Sequence, residues 1–189
     1  MWIMITVKEH ADAVYEVLDQ SVTLCGEPRL RTLLQEVVRG RSARAERATP
    51  WFMLPIFVCE GLGGDTHQAH YVAAALEFGR IAAGCLDEWQ DQDTVDALWR
   101  TIGPAQAVNA ATAMIALSLL TLGRLTELGA PPGDIVNLQR EFHLTLLRMC
   151  EGQHADLNGD VSLGEYETVA GAKSGALFGL GCQAGAMAG

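Results

Sequence analysis

Four acidic side chains near the middle of the chain are the residues whose types and spacing best fit a chemical role. Asp87, Glu88, Asp91 and Asp93 follow an apolar stretch with helical spacing. At about 100° per residue, Asp87 and Asp91 stack one turn apart on a helix, so their carboxylates converge. Such a pair at the negative end of a helix is repulsive unless water or a hard cation stabilises it. The pattern predicts either a solvated acidic surface or a Mg2+ site that bridges to a diphosphate.

The elements that must position these acids are predicted to be helices along almost the whole chain. Apolar residues recur at helical spacing, for example at Val14, Leu18 and Val22, and no run alternates as a strand does. Breaks containing glycine and proline divide the sequence into about six or seven helices. Helices that are apolar on most faces must be buried on most faces. We therefore predict an all-α fold, a helical bundle whose central helices are surrounded by others.

Length and charge limit the domain organisation and the partners. A chain of 189 residues, 49% of them hydrophobic, can form one sizeable core, so we predict a single domain over residues 1–189. Acidic residues outnumber basic ones by 23 to 13, giving a formal charge of -10, which argues against a nucleic-acid partner. A polyanionic ligand would need a metal ion or a local basic pocket.

Cysteine usage and the amino terminus favour the cytoplasm. The five cysteines are scattered without a C-x-x-C pair, so we predict reduced, mostly buried thiols. The first residues lack the basic and apolar regions of a secretory signal. Two uncharged stretches, residues 104–123 and 174–189, are long enough to raise the question of a membrane helix. Polar residues in the first and glycines in the second favour buried helices, so we expect no transmembrane segment.

Five short motifs occur in one order along the chain. Asp87 to Asp91 reads D-E-W-Q-D, and residues 59–65 read C-E-G-L-G-G-D. The others are W-x-x-x-G-x-x-x-A-x-N at residues 99–109, G-Q-H-A-D-L at residues 152–157 and K-S-G-A-L-F at residues 173–178. Together they resemble the trans-polyprenyl diphosphate synthase family of the isoprenoid synthase superfamily. The first is similar to that family's aspartate-rich motif D-D-x-x-D, and the resemblance covers roughly residues 41–189.

The resemblance implies an isoprenoid synthase bundle around a central apolar cavity, with the C-terminal helices of the family missing. It implies Mg2+ as cofactor, with Asp87, Glu88 and Asp91 as metal ligands and with Asp87, Asp91 and Lys173 as catalytic residues. The implied diphosphate-binding residues are Arg47, Arg80, Gln153, Asp156, Lys173 and Ser174. Ala82 and Ala83, about one turn deeper than the metal ligands, correspond to residues whose bulk limits prenyl chain length in the family.

Two basic clusters of the family are absent from this sequence. Only Arg47 is left of the G-G-K-R-x-R-P stretch before Pro50, and no arginine pair follows the aspartate motif. A second aspartate-rich motif would lie beyond Gly189. The principal hypothesis is a prenyltransferase-like protein that binds an allylic prenyl diphosphate through Mg2+ for prenyl transfer in isoprenoid biosynthesis, as a homodimer or in a heteromer with a related synthase. A class I terpene cyclase-like lyase and a non-catalytic subunit of a prenyl synthase complex are the alternatives.

Overall fold

The computed structural model of the protein consists of helices joined by short connections. It describes residues 7–45, 51–92, 94–159 and 162–189, and for residues 42–45 it describes the backbone alone. Within these ranges the α-helices are α1 (Val7–Val22), α2 (Pro28–Ala45), α3 (Leu54–Gly61), α4 (Thr66–Asp91), α5 (Leu98–Ile102), α6 (Pro104–Gly123), α7 (Pro132–Asn158), α8 (Leu163–Ala170) and α9 (Ala176–Ala188). Turns of 3-10 helix precede α3 (Trp51–Met53) and follow α6 (Arg124–Leu128), and a turn of π-helix (Gly171–Gly175) joins α8 to α9.

The prediction of an all-α fold is confirmed, and the described ranges contain no strand. The predicted number of six or seven helices is too low. Helices α3, α5 and α8 have only 8, 5 and 8 residues. Because such helices make about two turns or fewer, their apolar residues do not repeat often enough to show a helical period.

Helix α4 lies at the centre of the fold and positions the acidic motif. It begins after Asp65, whose side chain accepts a hydrogen bond from the His67 amide at 3.0 Å and so caps the helix. All residues from Ala69 to Gly79 are buried, since α1, α3, α6, α7 and α9 pack around this helix. The helix ends where Gln92 adopts a left-handed conformation with φ of 56°. Asp91 therefore lies in its last turn.

Helix α6 is the long helix with the most apolar sequence. Together with the 3-10 turn that follows, it forms a 25-residue run that is long and apolar enough to cross a membrane by length and composition. In this fold, however, one side of α6 packs along α4. Ala110, Ala111 and Met114 are fully buried there. This packing is that of a core helix, as the sequence predicts.

The cysteines are free thiols, in agreement with the sequence. The prediction that most of them are buried is wrong, because only Cys59 and Cys85 are buried and Cys150 and Cys182 are exposed. Cys150 follows the apolar spacing of α7, but the last turns of that helix border a cavity instead of the core.

Two buried histidines join α1 to the beginning of α4. His10 Nδ1 lies 2.9 Å from His70 Nε2, and His10 Nε2 lies 3.0 Å from Glu60 Oε1. Burial and the neighbouring His10 lower the pKa of His70 to about 4, helped by His67 and opposed by Asp65 and Glu60. His70 is therefore neutral in the folded protein at neutral pH.

We expect acidification to destabilise the protein through His70. A histidine in the unfolded chain has a pKa of about 6.5, so the unfolded state binds a proton before the folded state does. Stability is then lost as the pH falls from the unfolded to the folded pKa, by up to about 2 kcal/mol between pH 6.5 and pH 5. Melting temperatures measured between pH 6.5 and pH 5 give the pH dependence of stability for the unchanged protein, for His70→Gln and for the exposed-site control His143→Gln. If the melting temperature of His70→Gln changed with pH as much as that of the unchanged protein, His70 would not be the cause of the acid destabilisation.

Candidate active site

The two aspartates of the acidic motif point to the same place at the end of α4. Lys173 Nζ lies 2.9 Å from Asp87 Oδ1 and 3.3 Å from Asp91 Oδ2. The two carboxylates are 40% and 25% exposed, so a ligand arriving from solvent can reach both. The structure thus brings together the pair that the one-turn spacing predicts.

Helix α7 brings two more polar groups to the same point. Asp156 Oδ2 accepts a hydrogen bond from Lys173 Nζ at 2.7 Å. Gln153, about one turn earlier, donates from Nε2 to Asp91 Oδ1 at 2.9 Å. The Gln153 Oε1 atom is buried and has no hydrogen-bond partner in the described part of the chain. We call Asp87, Asp91, Asp156 and Lys173 the acidic cluster.

Lys173 belongs to the π-helical turn between α8 and α9. Irregular turns of this type occur frequently at functional sites. Burial alone would lower the pKa of Lys173, but hydrogen bonds to Asp156, Asp87 and Asp91 outweigh burial and raise that pKa well above its usual range. Lys173 is therefore a permanent cation, and the acidic cluster, with three carboxylates around one ammonium group, carries a net charge of about -2.

The donor atoms of the acidic cluster fit Mg2+. Its three aspartates supply carboxylate oxygens, which hard divalent cations prefer, and Asp87 and Asp91 converge within hydrogen-bonding distance of the Lys173 Nζ atom. Within the described ranges, no three His, Cys, Asp or Glu side chains are arranged to hold a metal by themselves. Mg2+ is often held by only one or two carboxylates, with phosphate oxygens and water completing its shell. A diphosphate would supply those missing oxygens.

Glu88 is placed away from the acidic cluster. Its Oε2 atom accepts hydrogen bonds from Arg41 Nη2 at 2.6 Å and from the Leu98 amide at 3.3 Å. Its backbone carbonyl accepts from Trp99 Nε1 at 2.9 Å. Because one residue along a helix turns the side chain by about 100°, Glu88 faces α2 and α5 while Asp87 faces the acidic cluster. The structure does not bring Glu88 into the predicted metal site.

Of the two arginines assigned to diphosphate binding, the structure describes Arg80. Arg80 donates from Nε and Nη2 to the two carboxylate oxygens of Glu77, both at 2.7 Å. Glu77 is fully buried, so the Arg80 guanidinium is held by an ion pair within α4. Arg47 lies outside the described residues. The spacing of Glu77 and Arg80 is that of an ion pair on one helix face, a signal that could have identified Glu77 from the sequence.

A cavity of about 520 Å3 extends from the acidic cluster between α4, α6 and α7. Its walls are formed by Gly79, Ala83, Leu86, Asp87, Gln90, Ile115, Leu146, Leu147, Met149, Cys150, Gln153, His154, Leu157 and Lys173. Most of these residues are apolar, and the charged ones stand at one end. We call this space the donor cavity. Of the two alanines assigned to a chain-length pocket, Ala83 lines the donor cavity, whereas Ala82 is fully buried in the core and does not.

Gly79 lines the donor cavity and packs against Phe142. Gly79 lies eight residues before Asp87, which corresponds to about 12 Å along the helix. A Cβ atom at Gly79 would lie 2.8 Å from the ring of Phe142, so only glycine allows this buried ring to approach α4. Neither residue was predicted from the sequence, since no local spacing relates Gly79 to Phe142.

A second, smaller cavity of about 250 Å3 lies on the other side of Ala83 and Asp87. It is lined by Trp51, Arg80, Ala83, Gly84, Asp87, Met149, Lys173, Ser174, Leu177 and Phe178. Ala83, Asp87, Met149 and Lys173 thus border both cavities. The structure brings the predicted residues Arg80, Lys173 and Ser174 to this second cavity, together with Trp51 and Phe178, which the sequence did not single out as site residues.

The chain is similar in sequence to a known protein family. The sequence profile of the polyprenyl synthetase family matches residues 53–189. A curated relative, tryptophan prenyltransferase ComQ of Bacillus subtilis subsp. natto (strain BEST195), is 34% identical over 119 residues, which are 62% of this chain and 36% of that protein. The chain therefore spans about a third of the length of that relative.

Solved structures show where the fold recurs. Geranylgeranyl pyrophosphate synthetase from the archaeon Geoglobus acetivorans superposes with a TM-score of 0.80 at 23% identity, over 96% of this chain and 59% of that one. A deletion mutant of the heterotetrameric geranyl pyrophosphate synthase of mint gives 0.73 at 20% identity, over 96% and 70% of the two chains. These likenesses confirm the predicted isoprenoid synthase fold.

Proposed function

Because the chain belongs to the polyprenyl synthetase family, we propose that it binds an allylic prenyl diphosphate with Mg2+ and transfers the prenyl group in isoprenoid biosynthesis. One observation carries the proposal: an acidic cluster with a permanent cation stands at one end of a long apolar cavity. The diphosphate fits the charged end and the prenyl chain fits the apolar walls.

In the proposed reaction, the C1–O bond of the donor breaks and diphosphate leaves with the bonding electrons. Asp87 and Asp91 would hold Mg2+, which neutralises charge on the leaving diphosphate when bound. Lys173 adds a fixed positive charge, and Gln153 holds Asp91 in orientation through its hydrogen bond. The apolar walls of the donor cavity exclude water from the allylic cation, which favours transfer to an acceptor over hydrolysis.

The acceptor distinguishes two candidate functions. Condensation with isopentenyl diphosphate is the reaction implied by the resemblance to polyprenyl diphosphate synthases. Transfer to a different acceptor is the second candidate, since the ComQ relative is a tryptophan prenyltransferase and since Arg80 is already paired with Glu77. Both candidates share the donor site.

We also propose that the protein acts in the cytoplasm and as a homodimer or a heteromer. The mint neighbour is heterotetrameric by description. Exposed apolar side chains on α6 and α7, among them Leu120 and Val136 at 53% and 63% exposure, suit a subunit contact. A monomer at micromolar concentration in light scattering would contradict the assembly.

Calorimetry with farnesyl S-thiolodiphosphate, a slowly reacting donor analogue, tests the donor site. We expect micromolar binding that requires Mg2+. Binding that is equal with Mg2+ and with a chelator would contradict the proposal, as would no binding at all. Turnover of farnesyl diphosphate, followed by release of diphosphate, then shows whether the bound donor ionises.

Ala83→Phe should shorten the prenyl chain that the protein accepts. Ala83 lines the donor cavity one turn below Asp87, so a ring there fills space needed by the chain. Each buried CH2 contributes about 0.8 kcal/mol of binding free energy. A donor with one five-carbon unit left unburied therefore binds more weakly by up to about 4 kcal/mol. We expect geranylgeranyl diphosphate turnover to fall more than tenfold while geranyl diphosphate turnover is retained. Ala105→Phe, on the exposed start of α6, is the control, and equal losses for both donors would count against the assignment.

A further inference from the structure

The ammonium group of Lys173 stands at the point on which the carboxylates of the acidic cluster converge. Its Nζ atom lies 2.7 Å from Asp156 Oδ2, 2.9 Å from Asp87 Oδ1 and 3.3 Å from Asp91 Oδ2. An ammonium group has three N–H donors, and three carboxylates match them in number. The side chain of Lys173 is only 23% exposed, so these contacts are partly shielded from water. The protein by itself thus holds a cation at the centre of the acidic cluster.

Lys173 and a divalent cation compete for the same oxygen atoms of Asp87 and Asp91. Mg2+ needs its ligand oxygens at about 2.0–2.1 Å, whereas these oxygen atoms are already used as hydrogen-bond acceptors by Nζ. Two cations drawn to one pair of carboxylates repel each other, and the repulsion is stronger where water is partly excluded. Within the described ranges, no three metal-binding side chains are arranged to hold a metal by themselves. We therefore expect the acidic cluster alone to bind Mg2+ weakly, despite its net negative charge.

The three contacts of Lys173 differ in length and in the helix that provides them. The shortest joins Lys173 to Asp156 on α7, and the longest joins it to Asp91 on α4. Charged hydrogen bonds between nitrogen and oxygen usually measure about 2.7–2.9 Å, so the contact with Asp91 is the weaker one. Asp91 also has a second partner, since Gln153 donates to its Oδ1 atom at 2.9 Å. The geometry thus favours Asp156 as the anchor of Lys173 and the contacts with α4 as those that are released.

Release from α4 requires rotation of the Lys173 side chain and no movement of its backbone. Lysine carries its charge on a flexible four-carbon stem. Lys173 borders both the donor cavity and the second cavity, so open space adjoins it on two sides. Its backbone, in contrast, lies directly against Gly152 of α7. The ammonium group can therefore exchange partners while the π-helical turn stays in place.

We propose that Lys173 is an internal competitor of the metal, which keeps Mg2+ off Asp87 and Asp91 until a diphosphate arrives. The inference rests on the proposed function, because the diphosphate is that of the bound donor. Its phosphate oxygens accept hydrogen bonds from Lys173 and draw the ammonium group away from α4, while Asp156 retains one N–H donor. The two released aspartates then bind Mg2+ together with the diphosphate. Lys173 thereby makes the binding of metal and the binding of donor mutually dependent.

Titration of the unchanged protein with Mn2+ tests this dependence. Mn2+ prefers the same oxygen ligands as Mg2+, and binding removes the electron paramagnetic resonance signal of the free ion. We expect Mn2+ to bind about tenfold or more weakly to the protein alone than to the protein loaded with farnesyl S-thiolodiphosphate. A titration of the analogue without protein corrects for Mn2+ held by free diphosphate. Equal affinity in the free and the loaded protein would overturn the inference.

Lys173→Met separates competition with the metal from simple binding of the diphosphate. Methionine keeps an unbranched side chain and removes the charge. We expect the affinity for Mn2+ alone to rise by about tenfold or more, while binding of the analogue becomes weaker. A lysine that only bound the diphosphate would give the second effect without the first. Lys8→Met, at the exposed start of α1, is the matched control and should change neither affinity.

Asp156→Asn shows whether the gain in metal affinity comes from removal of the ammonium group or from any loosening of the acidic cluster. Both variants break the hydrogen bond between Lys173 and Asp156, but only Lys173→Met removes the cation. In Asp156→Asn the ammonium group stays on Asp87 and Asp91, so Mn2+ alone should bind no better than to the unchanged protein. A gain as large as that of Lys173→Met would overturn the role of the ammonium group.

Binding of the analogue separates failure of the inference from failure of the proposed function. If the analogue does not bind to the unchanged protein, the proposed function fails first, and the inference falls with it. If the analogue binds but Lys173→Met gains no affinity for Mn2+, the donor site stands and the inference is overturned. Circular dichroism checks the fold of each variant. Lys173→Gln, which can still donate to one aspartate, replaces Lys173→Met with the same expectations if the methionine variant does not fold.

Discussion

Replacing Asp87 and Asp91 together with asparagine should lower Mg2+-dependent turnover of a prenyl diphosphate by about 1,000-fold. Metal ions at such sites supply several kcal/mol of charge stabilisation, and about 4 kcal/mol corresponds to three powers of ten. Asparagine keeps the size of the side chain and can still accept from Lys173, but it removes both negative charges. Donor binding should lose its dependence on Mg2+ at the same time.

The double variant should fold normally, which separates a functional loss from a structural one. Asp87 and Asp91 are partly exposed, and exposed ion pairs contribute only about 0–1 kcal/mol each to stability. We expect an unchanged circular dichroism spectrum and a melting temperature within a few degrees. Asp19→Asn, which breaks the exposed pair with Arg39, is the matched control and should retain turnover. Equal turnover in the double variant and the control would exclude the acidic cluster as the metal site.

The position of the acidic pair could be predicted because a helix repeats every 3.6 residues. Asp87 and Asp91 are four residues apart, so any helix through them gives the convergence that the structure shows. Asp156, Gln153 and Lys173 could not be placed by spacing, as they lie 62 or more residues from Asp91 along the chain. Their assignment came from the resemblance to a family.

The same helical rotation accounts for the residues that were not brought to their expected places. Glu88 is one residue away from Asp87, which lies in the acidic cluster, and Ala82 is one residue away from Ala83, which lines the donor cavity. A step of one residue rotates the side chain by about 100°, which turns Glu88 toward Arg41 and Ala82 into the core. A motif written as a string of letters hides this rotation, since it treats adjacent positions as equivalent.

The sequence could indicate the partner of Arg80 but not the partner of Arg41. Glu77 and Arg80 are three residues apart and could have been identified as a pair. The pair of Arg41 and Glu88 joins residues 47 positions apart, and only the packing of α2 against α4 creates it. The sequence could therefore indicate which cations of the family are missing but not how Arg41 is paired.

Gly152→Ala should disrupt the position of Lys173 more than any other single methyl group added near the acidic cluster. Helix α7 passes so close to the π-helical turn that a Cβ at Gly152 would lie 2.5 Å from the Lys173 amide nitrogen and 3.0 Å from the Ala172 carbonyl carbon. Both are backbone atoms, so no side chain can rotate away. The two segments must separate, and the ammonium group moves with its backbone.

We expect Gly152→Ala to lower the free energy of unfolding by about 1–3 kcal/mol, the usual range for overpacking. For a protein of this size, each kcal/mol lowers the melting temperature by about 2–4 °C. Binding of the thiolodiphosphate analogue should fall more than tenfold, because catalytic groups lose their effect when they move by about 1 Å. Calorimetry and thermal melts measure the two effects.

Glycines within the π-helical turn provide the matched control for this steric argument. A Cβ at Gly171 or Gly175 would meet nothing within 4 Å, and alanine is the better helix former by roughly 0.5–1 kcal/mol. Gly171→Ala and Gly175→Ala should therefore keep or slightly raise stability and leave donor binding intact. If Gly171→Ala or Gly175→Ala weakened donor binding as strongly as Gly152→Ala, the flexibility of the turn would explain the loss. The close approach of α7 would then not be its cause. The contrast tests whether the glycine of the G-Q-x-x-D-L motif acts by letting two backbones meet where Lys173 joins three carboxylates.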